Sequence, residues 1–222
     1  MLYYLDNTFI LIITKLKNMS QRTSVLYNLV NNPIFYIFFQ KIMSGTSFRK
    51  KIIIKNIKNK NYNILDIGCG PAEILQYIPK SNYYGFDIDE RSIKFAKRKY
   101  KNKNHHFYCK KFNKTEIKKL PKFDFVIMFG ILHHLKSKEI KYVLSLCKKV
   151  MKKNGSLLTE DPIFIKDQNF IAKFLIKNDR GLNVRTKKEY INLVKIFFHK
   201  VKSEITHQSF IPYTWFSMIC KR

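Results

Sequence analysis

Between residues 63 and 160 short apolar runs alternate with amphipathic stretches. Asn63–Ile67, Asn82–Phe86, His106–Cys109, Phe123–Phe129 and Gly155–Glu160 read as strands. They are nearly continuous in apolar character, the pattern of strands covered on both faces in a parallel sheet. Pro71–Ile78, Glu90–Tyr100 and Lys138–Lys152 read as the intervening helices, the last with Val143, Leu144, Cys147 and Val150 on one face. Downstream, a helix near Lys187–Phe197 precedes two strand-like runs, Val201–Thr206 and Tyr213–Cys220. Their short connection predicts an antiparallel edge pair. Upstream, Ser24–Lys58 reads as helical. PIFYIFFQKIM (33–43) is strongly apolar, with Pro33 suited to a first turn, and SGTS (44–47) interrupts it before a packing helix over Phe48–Lys58. The expected architecture is α/β: a doubly wound, mostly parallel seven-stranded sheet over 59–222, behind an N-terminal helical cap over 1–58.

Composition narrows this picture. A chain of 222 residues suits one domain with a small cap. Its formal net charge of +28 is extreme, and such an excess is the footprint of an RNA, DNA or anionic-membrane partner. A duller source is codon bias, since Lys, Asn, Ile, Phe and Tyr are all abundant. Only seven of the 43 basic residues are Arg, the better phosphate grip, and the Lys are spread along the chain. Cys69, Cys109, Cys147 and Cys220 form no CxxC pair, so free thiols in a reducing, cytoplasmic setting are expected. His105, His106 and Cys109 lack a second ligand cluster, and no metal is expected. The apolar stretch Phe9–Thr14 is too short to span a bilayer. A start at Met19 would make residues 1–18 dispensable.

In sheets of this kind, ligands sit beyond the carboxyl ends of the strands where strand order reverses. The first strand-to-helix turn there is Gly68-Cys69-Gly70-Pro71-Ala72-Glu73. A dinucleotide turn, GxGxxG, would have glycine where Glu73 stands. A bulky anion at that place disfavours a pyrophosphate, and no GK[ST] follows to make a phosphate-binding loop. Asp87 ends the second strand, placed to accept hydrogen bonds from both hydroxyls of a ribose. The ligand expected is a nucleoside without phosphates.

Taken together, NILDIGCGPAEIL, YYGFDIDE and FDFVIMFGILHHL resemble, in order and spacing, the successive motifs of class I S-adenosylmethionine-dependent methyltransferases. The resemblance covers roughly Asn63 to Pro162. NNPIFYIFFQKIMSG, FLIKNDRGLNVRTKKEY and IPYTWFSMICKR extend it to a subgroup of small bacterial enzymes of undefined substrate. It implies a Rossmann-like fold and S-adenosyl-L-methionine as cofactor. Asp66, Gly68, Cys69 and Gly70 would surround the methionine portion, with Asp66 orienting the amino group. Asp87 would hold the ribose, and Ile88 would lie against the adenine. Met128, Phe129 and Gly130 would line the sulfonium side. The family often places an acid after the third strand to read the adenine amino group. Here Lys110-Lys111-Phe112-Asn113 stands there, leaving Asn113 or a backbone carbonyl for that contact.

On the acceptor side, His133 and His134 follow the fourth strand, and either could act as base, His134 preferred. Asp161-Pro162-Ile163-Phe164 resembles the DPPY-type motif of DNA amino-methylating enzymes. It follows the fifth strand rather than the fourth, which counts against DNA and makes Asp161 a pocket-lining residue. Asp179, Arg180 and Arg185 form an acceptor-binding insert, since Arg in a Lys-biased chain suggests a two-bond grip on carboxylate or phosphate. An internal salt bridge of Arg180 with Asp161 or Glu160 is the alternative. Tyr36 would close over the pocket as a lid. The leading expectation is methyl transfer to O or N of a small molecule. An RNA methyltransferase and a non-catalytic S-adenosylmethionine-binding protein are the alternatives.

Overall fold

The computed structural model describes residues 46–177, 181–208 and 213–222. Strands β1 (Asn63–Ile67), β2 (Asn82–Asp87), β3 (His105–Cys109), β4 (Phe123–Phe129) and β5 (Met151–Phe164) run parallel. β7 (Lys200–Gln208) and β8 (Tyr213–Lys221) are antiparallel, and β8 pairs antiparallel with β5. The sheet order is β3-β2-β1-β4-β5-β8-β7, and a two-residue β6 (Arg185–Thr186) pairs with the end of β5. Strand order reverses between β1 and β4, so the turns after β1 and β4 open at the same end of adjacent strands.

Helices α1 (Thr46–Asn56), α2 (Glu90–Lys99), α3 (Ser137–Val150), α4 (Phe170–Lys177) and α5 (Lys187–Lys195) flank the strands. α1, read from sequence as part of a cap, joins the sheet's core through the fully buried Ile53. α3 buries Ile140, Val143, Leu144, Cys147 and Val150, the stripe its periodicity predicts. No described helix is long and apolar enough to cross a membrane.

Four elements depart from the sequence reading, the first being β6, an eighth strand where seven were expected. Pro71–Ile78 is not an α-helix but a 3-10 turn, Glu73–Tyr77. Ala72 enters it in the left-handed region (φ 56°), and Ile78 leaves it extended, as a residue before proline must. β5 runs past Glu160 because β8 pairs with it as far as Pro162. β4 ends opposite Glu160, so the missing N–H of Pro162 costs that ladder nothing. α4 has no counterpart in the reading. Its segment, FIAKFLIK, exposes Lys173 and Lys177, one turn apart, and buries Ala172 and Ile176.

The alternation of side chains along each strand sorts the polar groups. Ile64 and Leu158 face the α1–α2 layer, so Asp66 and Glu160, two residues on, face it too. Leu157 and Ile163 face the α3–α5 layer, which sends Asp161 there.

Candidate active site

The turn after β1 is held against β2. Gly68 N and Cys69 N both donate to Phe86 O, at 2.7 and 3.1 Å. Gly68 and Gly70 have φ of +75° and +51°, a region closed to most side chains. A methyl at Gly68 would strike Ile131, whereas one at Gly70 would meet nothing within 4 Å. The Gly70 backbone thus faces open space. Its N–H donates to Asp87 Oδ2 at 2.7 Å, and Asp89 N donates to Asp87 Oδ1 at 2.9 Å. Each carboxylate oxygen accepts one bond and keeps capacity for a second.

Beside this turn lies a cavity of about 620 Å³. Ile67, Gly68, Phe86, Asp87 and Ile88 form one wall, and Lys110–Phe112 after β3 form another. Ile131, His134 and Leu135 after β4, with Lys138, Glu139, Tyr142 and Val143 of α3, close the rest. Ile88 is 77% exposed, an apolar side chain offered to a ligand. Of the residues expected at the site, Gly68, Asp87, Ile88 and His134 line the cavity.

Others do not. Met128 is fully buried and turns toward α3, with Cys147 Sγ 3.9 Å from its sulfur, so it cannot line a sulfonium site. Phe129 faces α1 and lies beneath the Arg49 guanidinium. Gly130 (φ +70°) donates to Glu160 O at 2.7 Å, and a Cβ there would meet Arg49 at 3.1 Å. Cys69 is buried, its thiol pushed up by that burial and by nearby Asp66 and Asp87. Asn113 Oδ1 is already engaged within its own loop, accepting from Thr115 N at 2.8 Å and Glu116 N at 3.3 Å. Among the described residues no group of three His, Cys, Asp or Glu could hold a metal.

A buried polar cluster lies on the α1 side, of which the sequence reading named Asp66 as a site residue and Glu160 as an alternative partner for Arg180. Tyr83 Oη donates to Asp66 Oδ2 at 2.5 Å, and Arg49 Nε pairs with Glu160 Oε1 at 3.1 Å. Burial raises both carboxyls to about 7. At Asp66 the Tyr83 bond and the Arg49 charge only partly oppose it, and at Glu160 the Arg49 pair does the same. Arg49 is one of only seven arginines, and that scarcity was the available signal.

A stability prediction follows. Above the ordinary carboxylate pKa the unfolded chain has lost these protons, while the fold keeps them until about pH 7. Protonated Asp66 and Glu160 therefore favour the fold at low pH, and that contribution is lost as pH rises from about 4 to 7. The slope approaches about 1.4 kcal/mol per pH unit for each group. Asp66→Asn removes one such slope. Its stability relative to wild type, from urea unfolding at a series of pH values, is expected to rise between pH 4 and 7. A flat difference would refute the assignment.

The histidine turn after β4 is tied to the α3–α5 side. His133 is buried, and both its N–H and its Nδ1 meet Asp161 Oδ1, at 3.1 and 2.8 Å. Gly181 lies so close to the His133 ring that a Cβ there would overlap it. Asn183 N donates to His133 O at 2.9 Å. Arg185, expected to grip an acceptor, is buried and does not reach the cavity. It donates to Leu132 O at 3.1 Å, Asn183 O at 2.7 Å and Leu135 O at 2.8 Å. The forked guanidinium does what Lys cannot, but on carbonyls rather than on a ligand. Asp161 likewise faces His133 and not the cavity. His134 is exposed, its ring 4.0 Å from that of His133. Tyr36, Asp179 and Arg180 lie outside the described residues.

A family profile described as "Methyltransferase domain" matches residues 58–211. Protein 235L of Invertebrate iridescent virus 6, a methyltransferase by its description, is 25% identical over 192 residues, covering 77% of this chain and 70% of the viral one. An S-adenosylmethionine-dependent methyltransferase from Archaeoglobus fulgidus superposes with a TM-score of 0.64 at 19% identity, over 85% of this chain and 99% of that one. Phosphoethanolamine N-methyltransferase 2 of Haemonchus contortus, solved with phosphomonomethylethanolamine and S-adenosylhomocysteine, gives 0.63 at 12% identity over 79% of this chain. The chain spans about half, 52%, of that enzyme. With the sheet order, the open glycine turn and Asp87 beside it, the profile match shows that the chain belongs to the class I S-adenosylmethionine-dependent methyltransferase family.

Proposed function

We propose that this protein transfers a methyl group from S-adenosylmethionine to an oxygen or nitrogen atom of a small-molecule acceptor. The observation that carries the reading is one cavity running from the open glycine turn and Asp87 to His134. The residues fit the cofactor. Gly70 leaves room for close backbone approach, Asp87 keeps acceptor capacity for two ribose hydroxyls, and Ile88 presents an apolar face for adenine. The turn leads into a 3-10 helix of five residues, a poor seat for a pyrophosphate.

S-adenosylmethionine supplies an electrophilic methyl on a sulfonium, so the protein's task is mainly alignment, with reacting atoms about 3 Å apart. In this reading His134 takes the acceptor's proton, while His133, held by Asp161, supports its ring. The Haemonchus enzyme's small acceptor supports the choice of substrate class. The four free cysteines accord with a reducing, cytoplasmic setting.

The test is a methylation screen with labelled cofactor over cell extract fractionated into small molecules, RNA and protein. Label in the small-molecule fraction is expected. Label in RNA, with binding that falls steeply with salt, would establish the RNA alternative suggested by the +28 charge. His134→Gln is expected to lower turnover on the identified acceptor about a hundredfold, the usual worth of a positioned base. Its affinity for S-adenosylhomocysteine should stay within about twofold of wild type.

A further inference from the structure

The segment after β3, where the family often places an adenine-reading acid, contributes Lys110, Lys111 and Phe112 to the cavity. A protonated lysine has only hydrogens to offer and cannot accept from an exocyclic amino group. The Asn113 side-chain oxygen is committed to the amides of Thr115 and Glu116. Yet the cavity wall is not without a carboxylate there. Glu139, in the first turn of α3, lines the same cavity and reaches across it, with Oε1 3.8 Å from Lys111 Nζ. Its carboxylate therefore stands beside the segment that lacks an acid.

The local fold pins this side chain. Lys136 N–H, at the start of α3, donates to Glu139 Oε2 at 3.0 Å, as an N-terminal turn often arranges with a Glu three residues in. That bond occupies one oxygen and orients the other toward Lys111. The 3.8 Å contact of Oε1 is an ion pair but too long for a hydrogen bond, so this oxygen retains acceptor capacity. The other carboxylate lining the cavity is Asp87, at the opposite wall and engaged with the Gly70 turn.

We propose that Glu139 is the base-reading residue of the cofactor site, accepting a hydrogen bond from the 6-amino group of adenine through Oε1. α3 thus supplies the side-chain carboxylate that the β3 loop lacks. Lys111 pairs with that carboxylate from the β3 side at 3.8 Å. The inference rests on the cofactor reading above, and its test separates the two.

Binding of S-adenosylhomocysteine and of its 6-oxo analogue, S-inosylhomocysteine, is measured by calorimetry on the full chain. In wild type the analogue is expected to bind at least about tenfold more weakly, because a carbonyl replaces the donor and faces the carboxylate. Glu139→Gln keeps the shape and the Lys136 contact, and its amide can turn an N–H toward a 6-oxo group. The ratio is expected to collapse to within about threefold in this variant. Asp87→Asn, which acts on the ribose, should weaken both ligands and leave their ratio unchanged. Equal wild-type affinities, or a ratio unaltered by Glu139→Gln, would overturn the proposal while leaving the cofactor reading intact. Failure of wild type to bind either nucleoside would overturn both. Thermal unfolding of each variant guards against loss of fold, and Glu139→Ala, which gives up the helix cap as well, should lower affinity for S-adenosylhomocysteine about tenfold.

Discussion

Asp87→Ala is expected to weaken S-adenosylhomocysteine binding by at least about a hundredfold, since two charge-assisted hydrogen bonds are worth roughly 1.5–3 kcal/mol each. The loss has two sources. The ribose hydroxyls would lose their acceptor, and the Gly70 and Asp89 amides, at 2.7 and 2.9 Å from the carboxylate, would lose theirs. The glycine turn would then no longer be held in the shape that admits the ligand. Asp87→Asn keeps one acceptor oxygen and should recover part of the loss. Calorimetry at fixed salt measures both. An affinity for Asp87→Ala within threefold of wild type would remove Asp87 from the site.

Gly68→Ala should damage both stability and binding. At φ +75° an alanine costs on the order of 1–2 kcal/mol. Its methyl would lie 2.0 Å from Ile131 Cδ1 and 2.6 Å from Cγ1. Ile131 is branched at Cβ and lines the cavity, so it must shift against its neighbours to make room. A total loss of about 2–3 kcal/mol in urea unfolding is expected, with cofactor affinity down tenfold or more. Gly70→Ala is the informative control. At φ +51° it bears the backbone cost of about 1–2 kcal/mol but meets nothing within 4 Å of the added methyl, so it should lose less stability than Gly68→Ala and still bind poorly. If Gly70→Ala binds as wild type does, the open space above it is not where the cofactor lies.

Much of the architecture was legible because it rests on local pattern. β4 was read with the ends it has, and β1 likewise, because buried parallel strands are short unbroken apolar runs. Gly68 and Asp87 were legible because a positive φ and a strand-end carboxylate each leave a one-residue mark. Where the reading failed, either a partner distant in sequence or a single unannounced backbone conformation decided. The long β5 depends on β8, more than fifty residues on. The 3-10 turn at Glu73–Tyr77 depends on Ala72 adopting a conformation that its sequence does not announce. Arg185 was rightly singled out as an Arg where Lys would not serve, but what it grips is the main chain of a turn fifty residues earlier.

The sequence by itself determined the five parallel strands and the antiparallel edge pair, the glycine turn, the acid that closes β2 and the histidines after β4. These follow from periodicity and from backbone chemistry at single positions. Only the tertiary structure decided which side of the sheet each polar residue serves. Two neighbours on β5, Glu160 and Asp161, part to opposite faces. One meets Arg49 of α1 and the other meets His133 of the turn after β4. In the same way α3 brings Glu139 to the place where the β3 loop has only lysines. Pairings of this kind span tens of residues and are fixed by packing, so no local pattern in the chain could encode them.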